Sequence, residues 1–193
     1  MDDKLSQGCI TFHTSLGWLL VAESPDGIAL VDFLGPDRLT DNTVISTLLA
    51  AYPDSMPSPG ANSELLEKAK TYILAYLTDR IPPPKIRLDL RNGTSFDRSV
   101  WKEIATIAFG QSRSYGQIAA KTRNAGAARA VGRACGRNPV PIFIPCHRVI
   151  GSGGKLGGYS SGLAIKRALL EIEGIEGFRD KGIISNLNRG EGI

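Results

Sequence analysis

The residues best suited to chemistry lie together in one short segment, Cys146-His-Arg148, which follows an apolar run interrupted by prolines. A thiolate is the strongest nucleophile among the side chains, and it forms at neutral pH only beside a base or a positive charge. His147 and Arg148 supply one neighbour of each kind. The segment therefore indicates a cysteine nucleophile, although a cysteine taken alone is more often an ordinary buried side chain.

Cooperation between Cys146 and His147 requires a particular backbone geometry. Adjacent residues of a strand point to opposite faces, so the two side chains act together only if the backbone turns there or a water bridges them. Glu171 and Glu173 fall in the last turn of a predicted helix, where the helix dipole disfavours anions by roughly 0.3–1 kcal/mol each. Glu173 paired with His147 would make a Cys–His–Glu relay. These residues alone favour the alternative interpretation, in which both glutamates are solvated at the surface.

Metal and disulfide chemistry are not predicted. The chain has two histidines, and Cys9, Cys135 and Cys146 form no ligand pairs at zinc spacing, so no metal and no cofactor are expected. Three cysteines, an odd number, argue for a reducing, cytoplasmic compartment. No apolar stretch approaches the roughly 18 residues of a membrane span, and the acidic, polar start of the chain does not resemble a secretory signal.

The charge is distributed unevenly along the 193 residues. Residues 91–170 contain 13 Lys and Arg but only Asp97 and Glu103 as acidic residues, a net charge of +11. Residues 1–90 contain 7 basic and 12 acidic residues, a net charge of −5. A basic region of this kind is typical of a polyanion-binding face, with a solvated basic surface as the alternative.

A helix-turn-helix pair is predicted within the basic region. Residues 117–122 and 127–135 read as two short helices around a turn at 123–126. In the second helix Arg129, Arg133 and Arg137 recur every four residues and form one basic stripe. The many Ala and Gly residues permit close approach to a groove, and the scarcity of Gln, Asn and Ser indicates binding that does not read sequence. The alternative is a tightly packed Ala-rich helix with a solvated Arg face.

The first ninety residues read as β-strands followed by helices. Residues 8–34 predict three strands joined by turns at 15–17 and 24–27. A helix is predicted over 37–50 and a loop over 52–62. Asn62 or Ser63 then caps a helix that the prolines after Ile81 end, and residues 82–95 form the link between domains.

The second half reads as mostly helical. Val100–Phe109 is a predicted core helix with Val100, Ile104, Ile107 and Ala108 on one side. The Gly-rich segment 151–158 lacks the Ser or Thr of a phosphate loop and predicts a flexible connection that a substrate can approach. Residues 161–173 predict a helix ended by Gly174, and a polar tail follows from about residue 178.

Several of these segments together resemble one family. Pro145-Cys-His-Arg-Val-Ile150, Gly157-Gly-Tyr-Ser160 and Gly162-Leu-Ala-Ile-Lys166 match O6-alkylguanine-DNA alkyltransferases. Ser114-Tyr115, Ala127-Ala-Arg-Ala-Val131 and Arg137-Asn-Pro-Val-Pro141 match upstream in the same order and spacing. The matched region runs from about residue 96 to residue 174, whereas the first ninety residues match only in outline.

The resemblance implies an α/β (α+β) architecture of two domains. Residues 1–90 would form a ribonuclease-H-like domain of β-hairpins and helices. Residues 91–177 would form a mostly helical, winged-helix-like catalytic domain with a helix-turn-helix, followed by a tail over 178–193. The implied activity is direct repair: one irreversible transfer of the alkyl group from O6-alkylguanine in double-stranded DNA to a cysteine, after minor-groove binding and base flipping.

The resemblance also assigns roles in the reaction. Cys146 would be the nucleophile, His147 would draw off its proton through a water, and Glu173 would orient the imidazole. Asn138 would hold the turn and polarise the site. Tyr115 would push on a DNA phosphate and hand a proton toward guanine N3.

Further positions would contact DNA or the flipped base. Arg129 would fill the gap left in the base stack, and backbone groups at Val149 and Ser160 would read the guanine edges. The implied DNA-binding set is Tyr115, Asn124, Ala128, Arg129 and Ser152. The implied substrate pocket comprises Cys135, Pro141, Val149, Tyr159 and Ser160.

The implied protein acts as a monomer and contacts no membrane; its cooperativity on DNA and its use of O4-alkylthymine stay open. Gly151 and Gly158 are smaller than the residues of some relatives, which would widen the pocket toward bulkier adducts. A noncatalytic helix-turn-helix module and a Cys–His hydrolase are the competing classes. The first predicts binding without dependence on Cys146, and the second predicts turnover without DNA.

Overall fold

The computed structural model describes residues 7–34, 57–59, 63–122 and 126–178. The described part is a mixed α/β structure in which an N-terminal sheet is followed by helices. The helix predicted over 37–50 and the polar tail from residue 179 lie outside these ranges. Within the described part of the chain, no helix is both long and apolar enough to cross a membrane.

The N-terminal strands form the antiparallel meander that the sequence predicts. Strands β1 (Gln7–Thr14), β2 (Gly17–Ser24) and β3 (Gly27–Leu34) pair in succession. The prediction of a loop over 52–62 is wrong in part, because β4 (Pro57–Pro59) pairs in parallel with β1. The described sheet order is β3-β2-β1-β4, so β4 lies at an edge, where the missing N–H groups of proline are tolerated.

Helix α1 (Glu64–Asp79) packs across this sheet. Ser63 caps it by accepting a hydrogen bond from the Leu65 N–H, and the helix ends where Arg80 takes a left-handed conformation at φ 57°. The helix therefore ends before the prolines that follow Ile81, which the sequence predicted to end it. The apolar positions at helical spacing form its buried face: Leu66, Ala69, Ile73, Tyr76 and Leu77.

The link after α1 is extended, as predicted, and is attached to the edge of β3. Ile28 N–H donates to the Arg87 carbonyl (2.8 Å), and Asp89 N–H donates to the Ile28 carbonyl (2.8 Å). Asp89 also accepts from Ser24 Oγ at 2.6 Å. Hydrogen bonds from Arg91 lower the pKa of Asp89 to about 2, so a buried carboxylate anchors the link.

Helix α2 (Ser95–Ile104) begins at a capping box formed by Thr94 and Asp97. It begins and ends five residues earlier than the sequence predicts. Ile107 is buried all the same, because the turn after the helix carries it back into the core, whereas Ala108 is exposed. Apolar spacing alone did not reveal the end of the helix.

The next elements bring the distant motifs together. Helix α3 (Tyr115–Lys121) begins at Ser114, whose Oγ accepts from Gln117 N–H, and helix α4 (Ala128–Gly136) packs against it. Residues 123–125 of the predicted turn lie outside the described ranges. Strands β5 (Arg113–Ser114) and β6 (Val149–Ile150) pair in parallel, which places Tyr115 beside the segment that follows Cys146.

Helix α5 (Leu163–Ile172) closes the described fold. It begins two residues later than predicted, at a glycine cap, and it ends as predicted before Gly174, which has φ 67°. Leu169 and Leu170 are both fully buried, whereas Leu163 is 42% exposed. Its last turn carries Glu173 back toward the Cys146 segment.

Candidate active site

The backbone turns at Cys146, which resolves the geometric requirement raised by the sequence. Residues Cys146–Arg148 form a 3₁₀ turn, so Cys146 and His147 do not project to opposite faces of a strand. Asn138 fixes this turn: its Nδ2 donates to the Ile144 carbonyl (2.7 Å) and to Cys146 Sγ (3.1 Å). Its Oδ1 accepts from Val140 N–H at 3.1 Å.

The Cys146 sulfur is nearly buried, with 3% of the residue exposed. Burial raises the pKa of the Cys146 thiol, while the Asn138 hydrogen bond and the Lys166 charge act in the opposite direction. The resting group is therefore a thiol, because desolvation is the largest of these effects. A thiol in this state needs a nearby base before it can act as a nucleophile.

His147 is placed to be that base. Its side chain is fully buried, and burial lowers its pKa, so the imidazole is neutral at pH 7. Its Nε2 lies 2.7 Å from Glu173 Oε1. An ionised Glu173 only accepts, so Nε2 carries the proton and Nδ1 is left as an acceptor. Among the described residues, Nδ1 has no hydrogen-bond partner.

Glu173 is the residue that the sequence misjudged. The residues alone favoured two solvated glutamates. This interpretation is wrong for Glu173, which is 5% exposed, and it is confirmed for Glu171, which is exposed. Arg148 explains the burial, because its Nε and Nη2 donate to the two carboxylate oxygens at 2.8 and 2.9 Å. Gly110 N–H adds a further donor at 3.2 Å.

The Glu173 carboxylate stays charged in this environment. Burial acts to raise the pKa of Glu173, but hydrogen bonds from His147 and Arg148 outweigh it and lower that pKa to about 2. Arg148 also donates to the Ile107 carbonyl at 2.6 Å. The turn after α2 is thereby tied to the same network.

Two further polar residues of the site were not identified from the sequence. Lys166 is fully buried, and its Nζ donates to the carbonyls of Val149 (2.7 Å), Leu156 and Gly158. Burial lowers the pKa of Lys166 to about 8. The Gly-rich segment 151–158 is thus anchored at two carbonyls rather than free, and the third carbonyl belongs to β6. Tyr76 of α1 reaches the network from the sheet side.

An open pocket of about 810 Å³ lies in front of Cys146. Eight of the predicted site residues line it: Tyr115, Ala128, Arg129, Cys135, Cys146, Ser152, Tyr159 and Ser160. Pro141 and Val149 are buried and do not line it, and the Val149 carbonyl is already bonded to Lys166. Asn124 lies outside the described residues.

Glycines shape the pocket wall next to Tyr115. A Cβ on Gly157, which has φ 67°, would stand 2.8 Å from the Tyr115 hydroxyl. At the neighbouring Gly158 nothing lies within 4 Å of that position. Burial raises the pKa of Tyr115 to about 12, so its hydroxyl holds its proton.

The predicted arginine stripe is divided in the structure. Arg129 and Arg133 are exposed and line the pocket. Arg137 turns instead to the buried Asp97, with contacts of 2.5 and 3.1 Å. That pair joins the end of α4 to the start of α2, and a second link is the hydrogen bond from Trp101 Nε1 to the Ala134 carbonyl (2.8 Å).

Comparison with known proteins identifies the class. Residues 95–175 match the model of the DNA-binding domain of 6-O-methylguanine DNA methyltransferase. The crystal structure of Mycobacterium tuberculosis OGT in complex with DNA superposes with a TM-score of 0.70 at 38% identity, covering 86% of this chain and 92% of that one. The described fold is therefore that of a DNA alkyltransferase.

Two curated relatives carry the same name, methylated-DNA–protein-cysteine methyltransferase. The protein from Methanosarcina acetivorans is 37% identical over 163 residues, which cover 84% of this chain and 96% of that protein. The protein from Mycobacterium tuberculosis is 50% identical over 117 residues, which cover 61% of this chain and 68% of that protein. The chain belongs to the methylated-DNA–protein-cysteine methyltransferase family, which confirms the resemblance seen in the sequence.

Proposed function

We propose that this protein repairs duplex DNA by moving the alkyl group of O6-alkylguanine onto Cys146, once per molecule. The observation that carries the proposal is the position of Cys146, which lines the open pocket and is followed directly by His147 of the buried His147–Glu173 pair. The relative from Mycobacterium tuberculosis was crystallised with DNA. Its DNA complex supports DNA as the ligand of the corresponding surface here.

The proposed proton path begins at the thiol. His147 Nδ1 accepts the Cys146 proton through a water, and Glu173 holds the Nε2 proton and stabilises the imidazolium that forms. The thiolate then attacks the alkyl carbon in line with the O6–carbon bond. A carbon–sulfur bond forms, the carbon–oxygen bond breaks, and its electron pair passes to the guanine, which Tyr115 protonates at N3. His147 then releases the thiol proton to solvent and Tyr115 regains a proton from solvent, so that no net proton is gained or lost.

The product explains a single turnover. Cys146 becomes a thioether, and a thioether sulfur is a poor leaving group toward water or a nearby base. Asn138 acts at the same sulfur by donating from Nδ2, which stabilises the thiolate before transfer.

The proposed DNA contacts follow from the pocket rim. Arg129 enters the base stack in place of the flipped guanine, which offsets part of the few kcal/mol that flipping costs. Ala128, Gly132 and Ser152 line the same rim, and their small side chains permit close approach to the minor groove. Backbone groups at Ser160 are proposed to read the guanine edge, with Tyr159 and Cys135 lining the alkyl slot.

The domain organisation implied by the sequence is part of the proposal. Residues 1–90 form a ribonuclease-H-like domain, and residues 91–177 form the winged-helix-like catalytic domain. The sheet with α1 and the helices α2 to α5 support this division, because the chain between Asp79 and Ser95 links them without a helix.

Intact-protein mass spectrometry tests the function directly. The full chain is incubated with excess duplex DNA that contains one O6-methylguanine, with unmodified duplex as the control. We expect one adduct of about +14 Da, the mass of a methyl group replacing hydrogen, that maps to Cys146 and stops at one per chain. Bound but unchanged DNA would favour a noncatalytic module, and repeated turnover without an adduct would favour a hydrolase.

A further inference from the structure

Tyr76 brings a polar group from the sheet side of the molecule into the relay. It lies on α1, is 1% exposed, and donates from its hydroxyl to Glu173 Oε1 at 2.7 Å. The same hydroxyl lies 3.2 Å from His147 Nε2. In the sequence, Tyr76 lies 97 positions before Glu173 and 71 positions before His147.

The environment of Tyr76 keeps its hydroxyl a donor. Burial, followed by the charge of Glu173, raises the pKa of Tyr76 well above its ordinary value. The Phe109 ring stands edge-on to the tyrosine ring, with centroids 6.2 Å apart, and restricts its position. A buried hydroxyl that always carries its proton is a fixed hydrogen-bond donor.

We propose that Tyr76 is a positioning residue for alkyl transfer. Its hydroxyl, which comes from α1, holds the Glu173 carboxylate in the orientation that hydrogen-bonds His147. This inference rests on the proposed function. Glu173 Oε1 accepts from three groups, which are Tyr76, His147 and Arg148. Three donors converging from different elements leave the carboxylate one orientation, and that orientation aims the imidazole.

Removing the hydroxyl changes the balance at Oε1. The oxygen then shares its charge between His147 and Arg148 only, so it attracts the imidazole proton more strongly. The groups that face His147 are Glu173, Tyr76, Arg148 and Lys166. In Tyr76→Phe the other three are unchanged, and the imidazolium is better stabilised, so the pKa of His147 rises. The imidazole also loses part of its orientation.

The reaction of free O6-benzylguanine with the full chain measures the effect without a DNA-binding step. Tyr76→Phe is expected to react roughly tenfold more slowly at pH 7, a small part of the roughly 10²–10⁴ that general acid–base catalysis contributes. The acid limb of its rate–pH profile is expected to move to higher pH. Tyr72→Phe is the matched control, because it removes a hydroxyl from the partly exposed side of the same helix.

A direct readout separates positioning from packing. The chain has two histidines, and His13 is exposed on β1. Proton NMR of the imidazoles therefore gives two sets of resonances, one from each histidine. Tyr76→Phe is expected to raise the pKa of His147 above its value in the native protein. An unchanged His147 pKa with a rate within twofold of the native protein would overturn the inference. Failure of the native protein to react with O6-benzylguanine or alkylated duplex would instead overturn the proposed function.

Discussion

The two sides of Cys146 are built in opposite ways. Behind the sulfur, the side chains of His147 and Glu173 are fully buried and joined at 2.7 Å. In front of it, Arg129, Arg133 and Ser160 are exposed on the rim of the pocket. The groups proposed to handle the proton are thus positioned before a substrate arrives, whereas the binding side is left for the substrate to complete. Preorganised groups need no rearrangement at the moment of reaction.

The difference also affects stability. Breaking a buried ion pair by removing one partner costs about 3–5 kcal/mol, because the remaining charge is left unpaired. An exposed arginine without a buried partner costs little to remove. Substitutions behind Cys146 are therefore expected to affect both folding and reaction, and substitutions in front to affect reaction or binding alone.

Cys146→Ala is expected to have the largest effect, a complete loss of alkyl transfer, because burial raises the pKa of Cys135, the other cysteine that lines the pocket, to about 12 and keeps it a thiol. Its affinity for duplex DNA is expected to stay within about twofold of the native value, since alanine removes no phosphate contact. Adduct mass and a DNA-binding titration measure the two properties. Cys9→Ala, a buried substitution in the sheet, is the control. Transfer retained by Cys146→Ala would refute the assigned nucleophile.

Glu173→Gln is expected to have the second-largest effect. The amide keeps the shape but leaves the buried Arg148 without its anion, so the free energy of unfolding falls by about 3–5 kcal/mol. The rate is expected to fall roughly 100-fold, since the imidazolium loses its stabilising charge. Chemical denaturation and the O6-benzylguanine rate measure these effects. Glu171→Gln, an exposed neighbour, is the control.

The buried Glu173 carboxylate also predicts how the free energy of unfolding depends on pH. The pKa of Glu173 is about 2 in the folded protein, below its ordinary 4.5, so the folded state favours the carboxylate. This stabilisation is fully present above pH 4.5 and is lost as the pH falls toward 2. Glu173→Gln is therefore expected to show a weaker dependence on pH across that window. An identical dependence in both proteins would place the acid-sensitive charge elsewhere.

The sequence predicted the front of the site better than the back. The front contains local patterns, namely a Gly-rich segment and an arginine stripe on a short helix, although Arg137 leaves the stripe to pair with Asp97 and Lys166 anchors the segment that was predicted to be flexible. The relay behind depends on contacts between distant positions, such as Tyr76 with Glu173, and a single sequence gives no sign of them. Glu173 looked solvated because its partner Arg148 lies 25 residues away. The position of Glu173 in the last helical turn raised the His147–Glu173 pair only as an alternative, and the resemblance to a known family then favoured it.

Elements of the fold show the same limit. Ser63 and the periodic face behind it predicted α1, because caps and apolar spacing are local signals. The end of α2 at Ile104 was missed, since Ile107 continues the apolar pattern through a turn. The pairing of β4 with β1 was missed because its two prolines favour a loop in the sequence. Proline is tolerated in an edge strand, but the sequence does not show that this segment lies at an edge.

Arg129→Ala tests the front side and is expected to separate two substrates. Without the side chain in the base stack, the free-energy cost of base flipping rises by about 2 kcal/mol. This rise corresponds to roughly 30-fold slower repair of duplex DNA. The reaction with free O6-benzylguanine is expected to stay within about twofold, because no base has to be flipped. Arg87→Ala, an exposed arginine outside the pocket, is the control. Equal losses on both substrates would contradict the proposed role of Arg129.

Two adjacent glycines give the smallest expected effect and compare the front with the back most closely. Gly158 faces open space in the pocket, so Gly158→Leu is expected to slow transfer of a benzyl group by no more than about tenfold and to leave methyl transfer nearly unchanged. Gly157→Ala adds fewer atoms, but its Cβ would stand 2.8 Å from the Tyr115 hydroxyl at a positive φ. It is therefore expected to slow both groups equally, since it displaces the proton donor rather than narrowing the alkyl slot. Competition between O6-methylguanine and O6-benzylguanine duplexes measures the ratio for each variant. If Gly158→Leu slowed both groups alike, Gly158 would belong with the rigid part of the site, and the open side would begin farther from Cys146.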